Sequence, residues 1–233
     1  MSSPPPIPSS APDVLRLLEW CYDNRAVEEY REIFTADYRF VYSVLDSAGQ
    51  AYRDVPWIRD DELISTTKLF IGGDVNQPAA SSIELDLDRN FNVTADTRPG
   101  KHPKWHKSIK TQVVLKIRTA EGSTDVTGFA NFFLVRGDSA LIPDDLPFAP
   151  DSLRWYIERW EDETVGSGGS LRWQSPPPAL SVIRPARERA AIASQARRNG
   201  AAARRSEAEI ATVEGDPLPR VATWGYIKDR YRD

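Results

Sequence analysis

The sequence contains very few of the side chains that build covalent or metal-bound sites. Its 233 residues include one cysteine, Cys21, and two histidines, His102 and His106. A single cysteine cannot form an intramolecular disulfide, and so few cysteines and histidines argue against a zinc site built from them. We therefore expect no metal and no cofactor.

Long apolar runs and a strong net charge are also absent. No stretch reaches the roughly 18 apolar residues of a membrane-spanning helix, so no transmembrane segment is expected. The net charge of −4 is too small to indicate a class of partner. Residues 1–10, MSSPPPIPSS, lack the basic and apolar regions of a signal peptide. The location stays open between the cytoplasm, which is the default, and export as a lipoprotein whose leader has been removed.

Apolar spacing predicts two short helices near the start of the chain. Val14, Leu17, Leu18 and Cys21 fall at i, i+3, i+4 and i+7, which is one face of a helix. A second helix follows almost directly. Its apolar stripe consists of Val27, Tyr30 and Phe34. The short connection predicts that the two helices pack against each other.

A third helix is expected over residues 58–70. Asp60, Asp61 and Glu62 fall in its first turn, where carboxylates interact favourably with the helix dipole. Gly72 and Gly73 end the helix. Since the helix terminus explains these carboxylates, they do not indicate a metal site.

Alternating apolar and polar residues predict strands through the rest of the first two thirds, and residues 125–136 form a further predicted strand that is apolar on both faces. The predicted strands are residues 38–43, 82–89, 110–118, 125–136 and 153–163. The last strand carries three aromatic rings. Strict alternation places Trp155 and Arg159 on one face of it, and Tyr156 and Trp160 on the other. Helices first and a curved antiparallel sheet afterwards indicate an α+β fold.

The composition divides the chain into four segments. They are a disordered Pro/Ser leader (1–11), an α+β domain (12–165), a flexible, then Pro-rich, then Ala/Arg-rich insertion or linker (166–222), and an amphipathic C-terminal segment (223–233). In the last segment Trp224, Ile227 and Tyr231 share one helix face, which is expected to dock on the domain.

The third segment is also the most basic part of the chain. Seven arginines lie between Arg184 and Arg205, but no aromatic residues interleave them and glutamates follow at once. A solvated, helical or disordered linker explains this pattern, so nucleic acid is not an expected partner.

Residues 17–40 resemble the opening of the nuclear transport factor 2-like superfamily. They combine a helix, an Asp-bearing turn, a second helix ending in Phe-x-x-Asp at Asp37, and a strand. The superfamily includes SnoaL-like polyketide cyclases and ketosteroid isomerases. The resemblance covers about residues 13–163 and implies an α+β cone, in which a curved sheet wraps the helices and can leave an apolar pocket at its open end.

Three shorter segments are similar to uncharacterised bacterial members of this superfamily, which are often predicted to be lipoproteins. They are residues 51–57, residues 157–163 and the terminal Trp-Gly-Tyr-Ile-Lys at 224–228. In those relatives the Trp-Gly motif follows the aromatic strand closely. The resemblance therefore implies that residues 170–221 are an insertion.

The catalytic candidates are His106 and Tyr42. A histidine near a pocket rim can move a proton near neutral pH, although lysines surround this one and no carboxylate lies at local spacing. The resemblance implies acid/base groups inside the cone, where Tyr38 and Tyr42 could project from the first strand. Asp37 is expected to be a turn residue. The candidate ligand-binding residues are Tyr38, Tyr42, Trp57, Trp155, Arg159 and Trp160.

Arg159 has two interpretations. Inside a pocket it would bind an anionic ligand with both ends of its guanidinium group. On a wet sheet face it would pair with Glu161 or Glu163, which is the commoner arrangement for arginine.

Two functions remain open at this level. The first is a non-catalytic module that binds a small apolar or amphipathic ligand, or that forms a homodimer through an outward aromatic face of the sheet. The alternative is a SnoaL-like enzyme that performs proton-transfer chemistry on a small apolar substrate, as an isomerase, cyclase or dehydratase.

Overall fold

The computed structural model describes residues 3–44, 46, 52, 55–73, 77–137, 140–146, 151–164 and 220–232. All of these residues belong to one compact unit, formed by Met1–Ser170 and Leu218–Asp233. Most of the predicted linker and all of its basic stretch lie outside the described residues, and the four-segment division stays a prediction. No helix in the described part of the chain is long and apolar enough to cross a membrane.

The described residues contain four helices. They are α1 (Ala11–Asn24), α2 (Val27–Arg31), α3 (Arg59–Ile71) and α4 (Trp224–Arg230). Ser10 caps α1, since its hydroxyl accepts a hydrogen bond from the backbone N–H of Asp13 at 3.3 Å. Helix α2 is shorter than the spacing predicts, because Phe34 already begins the first strand. Tyr30 and Phe34 still pack together, with ring centroids 4.9 Å apart.

Eight strands form one sheet. They are β1 (Phe34–Val41), β2 (Trp57–Ile58), β3 (Ser82–Leu87), β4 (Val93–Ala95), β5 (His106–Thr119), β6 (Gly122–Arg136), β7 (Trp155–Thr164) and β8 (Arg220–Ala222). The main order is β2-β1-β7-β6-β5-β3, while β4 pairs with β5 and β8 pairs with β6. The β1–β7 and β6–β8 pairs are parallel and the others antiparallel. The curved, unclosed sheet with few helices confirms the predicted α+β cone.

One face of the sheet packs on the helices and carries the main core. Along β6 this helix-facing side is formed by Ala130, Phe132 and Leu134, all fully buried. Phe129 lies on the opposite side and is 49% exposed. The alternation thus separates a packed inner face from a partly wet outer face.

A β-bulge at Glu158 changes the faces of the aromatic strand. Phe133 pairs with Arg159 and Leu134 pairs with Ile157, so Glu158 is an extra residue in β7. One extra residue reverses the alternation beyond it. Trp155, Ile157 and Trp160 consequently all join the main core, and the face assignment from strict alternation is wrong.

The residues on the opposite side of β7 have other neighbours. Tyr156 packs with Val135 and Ile142 in a second, smaller cluster. Part of the N-terminal leader also reaches this strand, because the backbone N–H of Trp155 donates to the carbonyl of Pro8 at 2.9 Å. Pro8 is accordingly buried, whereas most of the residues around it in the leader are exposed.

Candidate functional site

A buried carboxylate, Glu62, lies at the centre of the helix-facing side. Its side chain is fully buried. It accepts hydrogen bonds from the hydroxyl of Tyr30 at 2.5 Å, the hydroxyl of Tyr38 at 3.2 Å and the indole N–H of Trp57 at 3.1 Å. The Thr66 hydroxyl lies 3.4 Å from the same carboxylate. Glu62 therefore has neutral donors from α2, β1, β2 and α3.

Helix geometry explains why only one of the three predicted terminal carboxylates turns inward. Asp61 caps α3, since its carboxylate accepts the backbone N–H of Ile58 at 3.2 Å. Asp60 is exposed. Glu62 instead shares the buried stripe of α3 with Thr66 and Leu69, at i, i+4 and i+7.

The positive partner of Glu62 comes from the other end of the chain. The ammonium group of Lys228, on α4, forms an ion pair with Glu62 Oε1, and the Lys228 side chain is 2% exposed. The same nitrogen lies 4.6 Å from the ring centre of Phe40 and 4.7 Å from that of Trp160. The cation is thus held by a carboxylate and two aromatic faces.

Burial shifts the titration of this cluster. It lowers the pKa of Lys228, although the negative charges of Glu62 and Asp162 partly oppose the shift. Burial, together with the charge of Glu62, raises the pKa of Tyr30 and of Tyr38 well above the usual tyrosine value. Both tyrosines therefore stay protonated and act as donors.

The Trp-Gly motif positions Lys228. The ring of Trp224 packs against Trp160 with centroids 4.4 Å apart. A Cβ atom at Gly225 would lie 2.2 Å from a carboxylate oxygen of Asp46 and 2.5 Å from the ring of Tyr42. Glycine at position 225 lets the α4 backbone approach Asp46 and Tyr42 this closely. The next turn of α4, which carries Lys228, then lies over Glu62.

Polar contacts at both ends of α4 fix it against the domain. The Thr223 hydroxyl caps the helix by accepting the N–H of Tyr226 at 3.0 Å and donates to Asp46 at 2.6 Å. Further along, the Ser65 hydroxyl donates to the carbonyl of Lys228 at 2.8 Å. The position of Lys228 is therefore set by backbone contacts as well as by its charge.

The structure brings together some of the predicted ligand-binding residues. Tyr38, Trp57 and Trp160 contact Glu62 or Lys228 directly. Trp155 belongs to the same core. Arg159 does not join them, because it pairs with Glu161 at 2.7 Å and both side chains are about one third exposed. This is the sheet-face alternative of the sequence analysis.

The two catalytic candidates lie in different surroundings. Tyr42 is half-buried and stacks on Tyr52 with centroids 4.9 Å apart. His106 begins β5, and its Nδ1 atom lies 3.1 Å from the backbone N–H of His102 in an exposed turn. In the described ranges no hydrogen bond joins His106 to Tyr42 or to the Glu62 cluster, and their catalytic roles stay predictions.

A surface depression lies near the start of α3. It has a volume of about 530 Å³, and its lining includes Arg39, Arg59, Asp60 and Asp145. Arg59 pairs with Asp145 at 3.2 Å, so charges of both signs neutralise each other there. Among the residues that the structure describes, no group of three histidine, cysteine, aspartate or glutamate side chains could hold a metal ion.

The sequence analysis missed Glu62 and Lys228. The sequence did contain one signal of a buried position for each residue, because each is a charged side chain within the apolar stripe of its helix. Lys228 is at i+4 from Trp224 and Glu62 is at i−7 from Leu69. Nothing in the sequence, however, indicates that these two residues meet, since they are 166 positions apart.

No protein-family model matches this chain, and no curated protein matches it. Its fold is similar to that of a conserved protein from Planctomyces limnophilus, with 12% identity, a TM-score of 0.43, and coverage of 65% of this chain and 91% of that one. A nuclear transport factor 2-like protein from Rhodospirillum rubrum, of unknown function in nutrient uptake, has 10% identity, a TM-score of 0.43, and coverage of 65% and 95%.

A third similar structure is the beta subunit of the benzoate 1,2-dioxygenase from Burkholderia mallei. It has 12% identity, a TM-score of 0.40, and coverage of 69% of this chain and 91% of that one. Similarity at this level concerns the fold and does not extend to chemistry.

Proposed function

We propose that the domain is a non-catalytic ligand-binding module, whose interior site is built around Glu62 and is closed by the C-terminal helix α4. The observation that carries the non-catalytic part of this proposal is the complete engagement of Glu62. Its two carboxylate oxygens accept hydrogen bonds from Tyr30, Tyr38 and Trp57 and from the ammonium group of Lys228. A module of this kind recognises a small amphipathic molecule and releases it unchanged.

The engagement of Glu62 argues against proton-transfer catalysis. A general base needs a free lone pair within reach of the substrate proton. Glu62 directs its lone pairs to protein donors, and the cation beside it, Lys228, is equally buried. Raised pKa values keep Tyr30 and Tyr38 protonated, so neither supplies a base near neutral pH.

Two other polar groups in the interior support binding. The hydroxyl of Tyr42 and the indole N–H of Trp160 are buried and have no hydrogen-bond partner within the described ranges. Leaving a buried donor unpaired costs about 1–3 kcal/mol. A bound molecule with an acceptor would remove that cost, which favours a site that takes a polar group.

Deuterium exchange separates binding from catalysis. The full chain is incubated in D₂O with cyclohex-2-enone, a small amphipathic ketone that can enolise. We expect saturation-transfer NMR signals from the bound ketone and deuterium uptake at the buffer rate. Uptake faster than buffer, lost in Glu62→Gln, would establish the enzyme alternative instead.

The second candidate function is homodimerisation through the outer sheet face. The tryptophans of β7 that motivated this prediction face the helices, but Phe129 is 49% exposed in the middle of β6. Lys110 and Glu163 form an ion pair beside it, and the Lys110 nitrogen lies 5.6 Å from the Phe129 ring centre. An aromatic ring flanked by both charges suits a self-complementary interface.

Sedimentation velocity tests the dimer. We expect a concentration-dependent dimer for the wild-type chain and a monomer for Phe129→Asp. Gln112→Asp is the matched control, because Gln112 pairs with Phe129 across β5 and β6 and is itself exposed. A wild-type monomer at every concentration would remove this candidate.

A further inference from the structure

Lys228 is held in the domain as a bound ligand would be. Its ammonium group contacts one carboxylate, Glu62, and lies over the faces of Phe40 and Trp160 at 4.6 and 4.7 Å. A carboxylate combined with aromatic faces is the arrangement by which proteins recognise amines. Asp162, also buried, adds a second negative charge that favours a cation here.

Most of the recognising groups come from the first part of the chain rather than from α4. Glu62 is oriented by Tyr30, Tyr38 and Trp57, which all belong to the first 62 residues together with the carboxylate itself. The aromatic faces come from β1 and β7. The C-terminal segment brings the ammonium group itself and the ring of Trp224, which packs against Trp160. The domain therefore presents a preorganised cation site, and α4 supplies its occupant.

Stability alone does not explain this arrangement. Replacing a buried ion pair by apolar side chains of similar volume is often neutral or stabilising, because burial removes both charges from water. An apolar side chain at position 228 would also pack well against Phe40 and Trp160. The Glu62 carboxylate, oriented by hydrogen bonds from Tyr30, Tyr38 and Trp57, is a group of the kind that recognises a cation.

We infer that the Glu62 cluster is a binding site for a small primary alkylammonium ligand, and that Lys228 is the occupant supplied by the chain itself. The inference rests on the proposed function, since it names the ligand class of the same interior site. A primary amine fits best because its N–H groups reach the Glu62 carboxylate while its alkyl chain follows the path of the lysine side chain.

Chemical complementation tests the inference on the full chain. Lys228→Ala removes three methylenes and the ammonium group, which together correspond to propylamine. We expect propylammonium to raise the melting temperature of Lys228→Ala by roughly 2–4 °C at about four times its Kd. The wild-type chain is expected to show a smaller rise, because propylammonium must displace the Lys228 ammonium group to bind.

Three controls define the recognition. Propan-1-ol has the same chain without the charge, and tetramethylammonium has the charge without an N–H donor, so neither should stabilise Lys228→Ala comparably. Lys68→Ala is the matched variant, because Lys68 donates to the carbonyl of Arg232 at 3.0 Å without entering the Glu62 cluster. Propylammonium should raise its melting temperature no more than that of the wild type.

The inference is overturned if propylammonium stabilises Lys228→Ala no better than propan-1-ol does, or stabilises Lys68→Ala equally. Should Lys228→Ala be unfolded in buffer, the same titration is followed by near-UV circular dichroism. Recovery of the native signal with propylammonium supports the site, and no recovery at any concentration contradicts it. Deuterium exchange into cyclohex-2-enone by the wild-type chain is a separate outcome, which would refute the non-catalytic proposal and leave amine recognition intact.

Discussion

Two carboxylate-centred networks on opposite faces of the sheet differ in what surrounds the charge. On the inner face, Glu62 and Lys228 are 0% and 2% exposed and are enclosed by aromatic rings. On the outer face, Glu158 is 6% exposed, but its partners Arg98 and Lys101 are 26% and 22% exposed. Water can therefore compensate the outer cations if their carboxylate is lost, whereas it cannot reach the inner one.

The networks also differ in how the chain assembles them. The outer network is partly local, because Arg98 binds Asp96 at 2.7 Å, and the bulge at Glu158 adds one distant carboxylate. The inner pair joins positions 166 residues apart. A local network stabilises a loop, while a pair of this sequence separation ties the C-terminal helix to the domain.

The largest expected effect is that of Glu62→Gln. This change leaves the Lys228 charge buried without its carboxylate and should lower the free energy of unfolding by about 3–5 kcal/mol. Urea denaturation, followed by tryptophan fluorescence, measures the loss. Glu158→Gln is the control on the outer face and should cost only about 1–2 kcal/mol. Equal losses for the two variants would contradict the distinction between the faces.

Replacing a phenylalanine by alanine on each face compares the stability contributed by uncharged side chains on the two faces. Phe132 is fully buried against Trp160, with centroids 4.7 Å apart, so Phe132→Ala should cost about 3–5 kcal/mol. Phe129, three positions earlier on the same strand, is 49% exposed. At a protein concentration where the wild-type chain is monomeric, Phe129→Ala should change the free energy of unfolding by less than about 0.5 kcal/mol. Comparable losses in urea denaturation would mean that the assignment of inner and outer faces is wrong.

The smallest expected effects concern pH, and the two networks should respond at opposite ends of the scale. Burial lowers the pKa of Lys228 in the folded chain, so the unfolded chain binds that proton more tightly. The wild-type chain should therefore gain stability relative to Lys228→Met as the pH rises from the depressed folded pKa towards about 10.4.

The outer network should show the acid response. Burial raises the pKa of Asp96, but the hydrogen bonds and charge of Arg98 outweigh burial and hold it below the usual value. Its contribution is present above about pH 3.9 and is lost as the pH falls through the folded pKa. Melting curves of wild type, Lys228→Met and Asp96→Asn across the pH range measure both responses. If the difference in stability between wild type and Lys228→Met does not change at alkaline pH, the buried position assigned to Lys228 on the inner face is contradicted.

Much of the fold could be predicted from spacing alone. The apolar periodicity of α1 and α4 and the alternation of β3 and β5 depend on which side chains face a core, and the sequence records this directly. The terminal carboxylates and glycines of α3 are likewise local signals. The start of β1 at Phe34 and the bulge at Glu158 could not be predicted in this way. Both depend on pairing with a distant strand, which local spacing does not report.

The candidate site was predictable in its aromatic part and not in its charged part. Tyr38, Trp57 and Trp160 are large rings on predicted strands or next to a predicted helix, so an interior position followed from their chemistry. Glu62 looked like an ordinary helix-terminal carboxylate, and Lys228 looked like a solvated lysine on an amphipathic helix. Their pairing became visible only when the fold brought residues 62 and 228 together.

A double-mutant cycle on Glu62 and Lys228 tests the central claim most directly. Urea denaturation gives the free energies of unfolding of wild type, Glu62→Gln, Lys228→Met and the double variant. If Lys228 occupies a cation site made by Glu62, the loss caused by Glu62→Gln should shrink by about 2 kcal/mol or more in the Lys228→Met background. Losses that add to within about 0.5 kcal/mol would contradict the account.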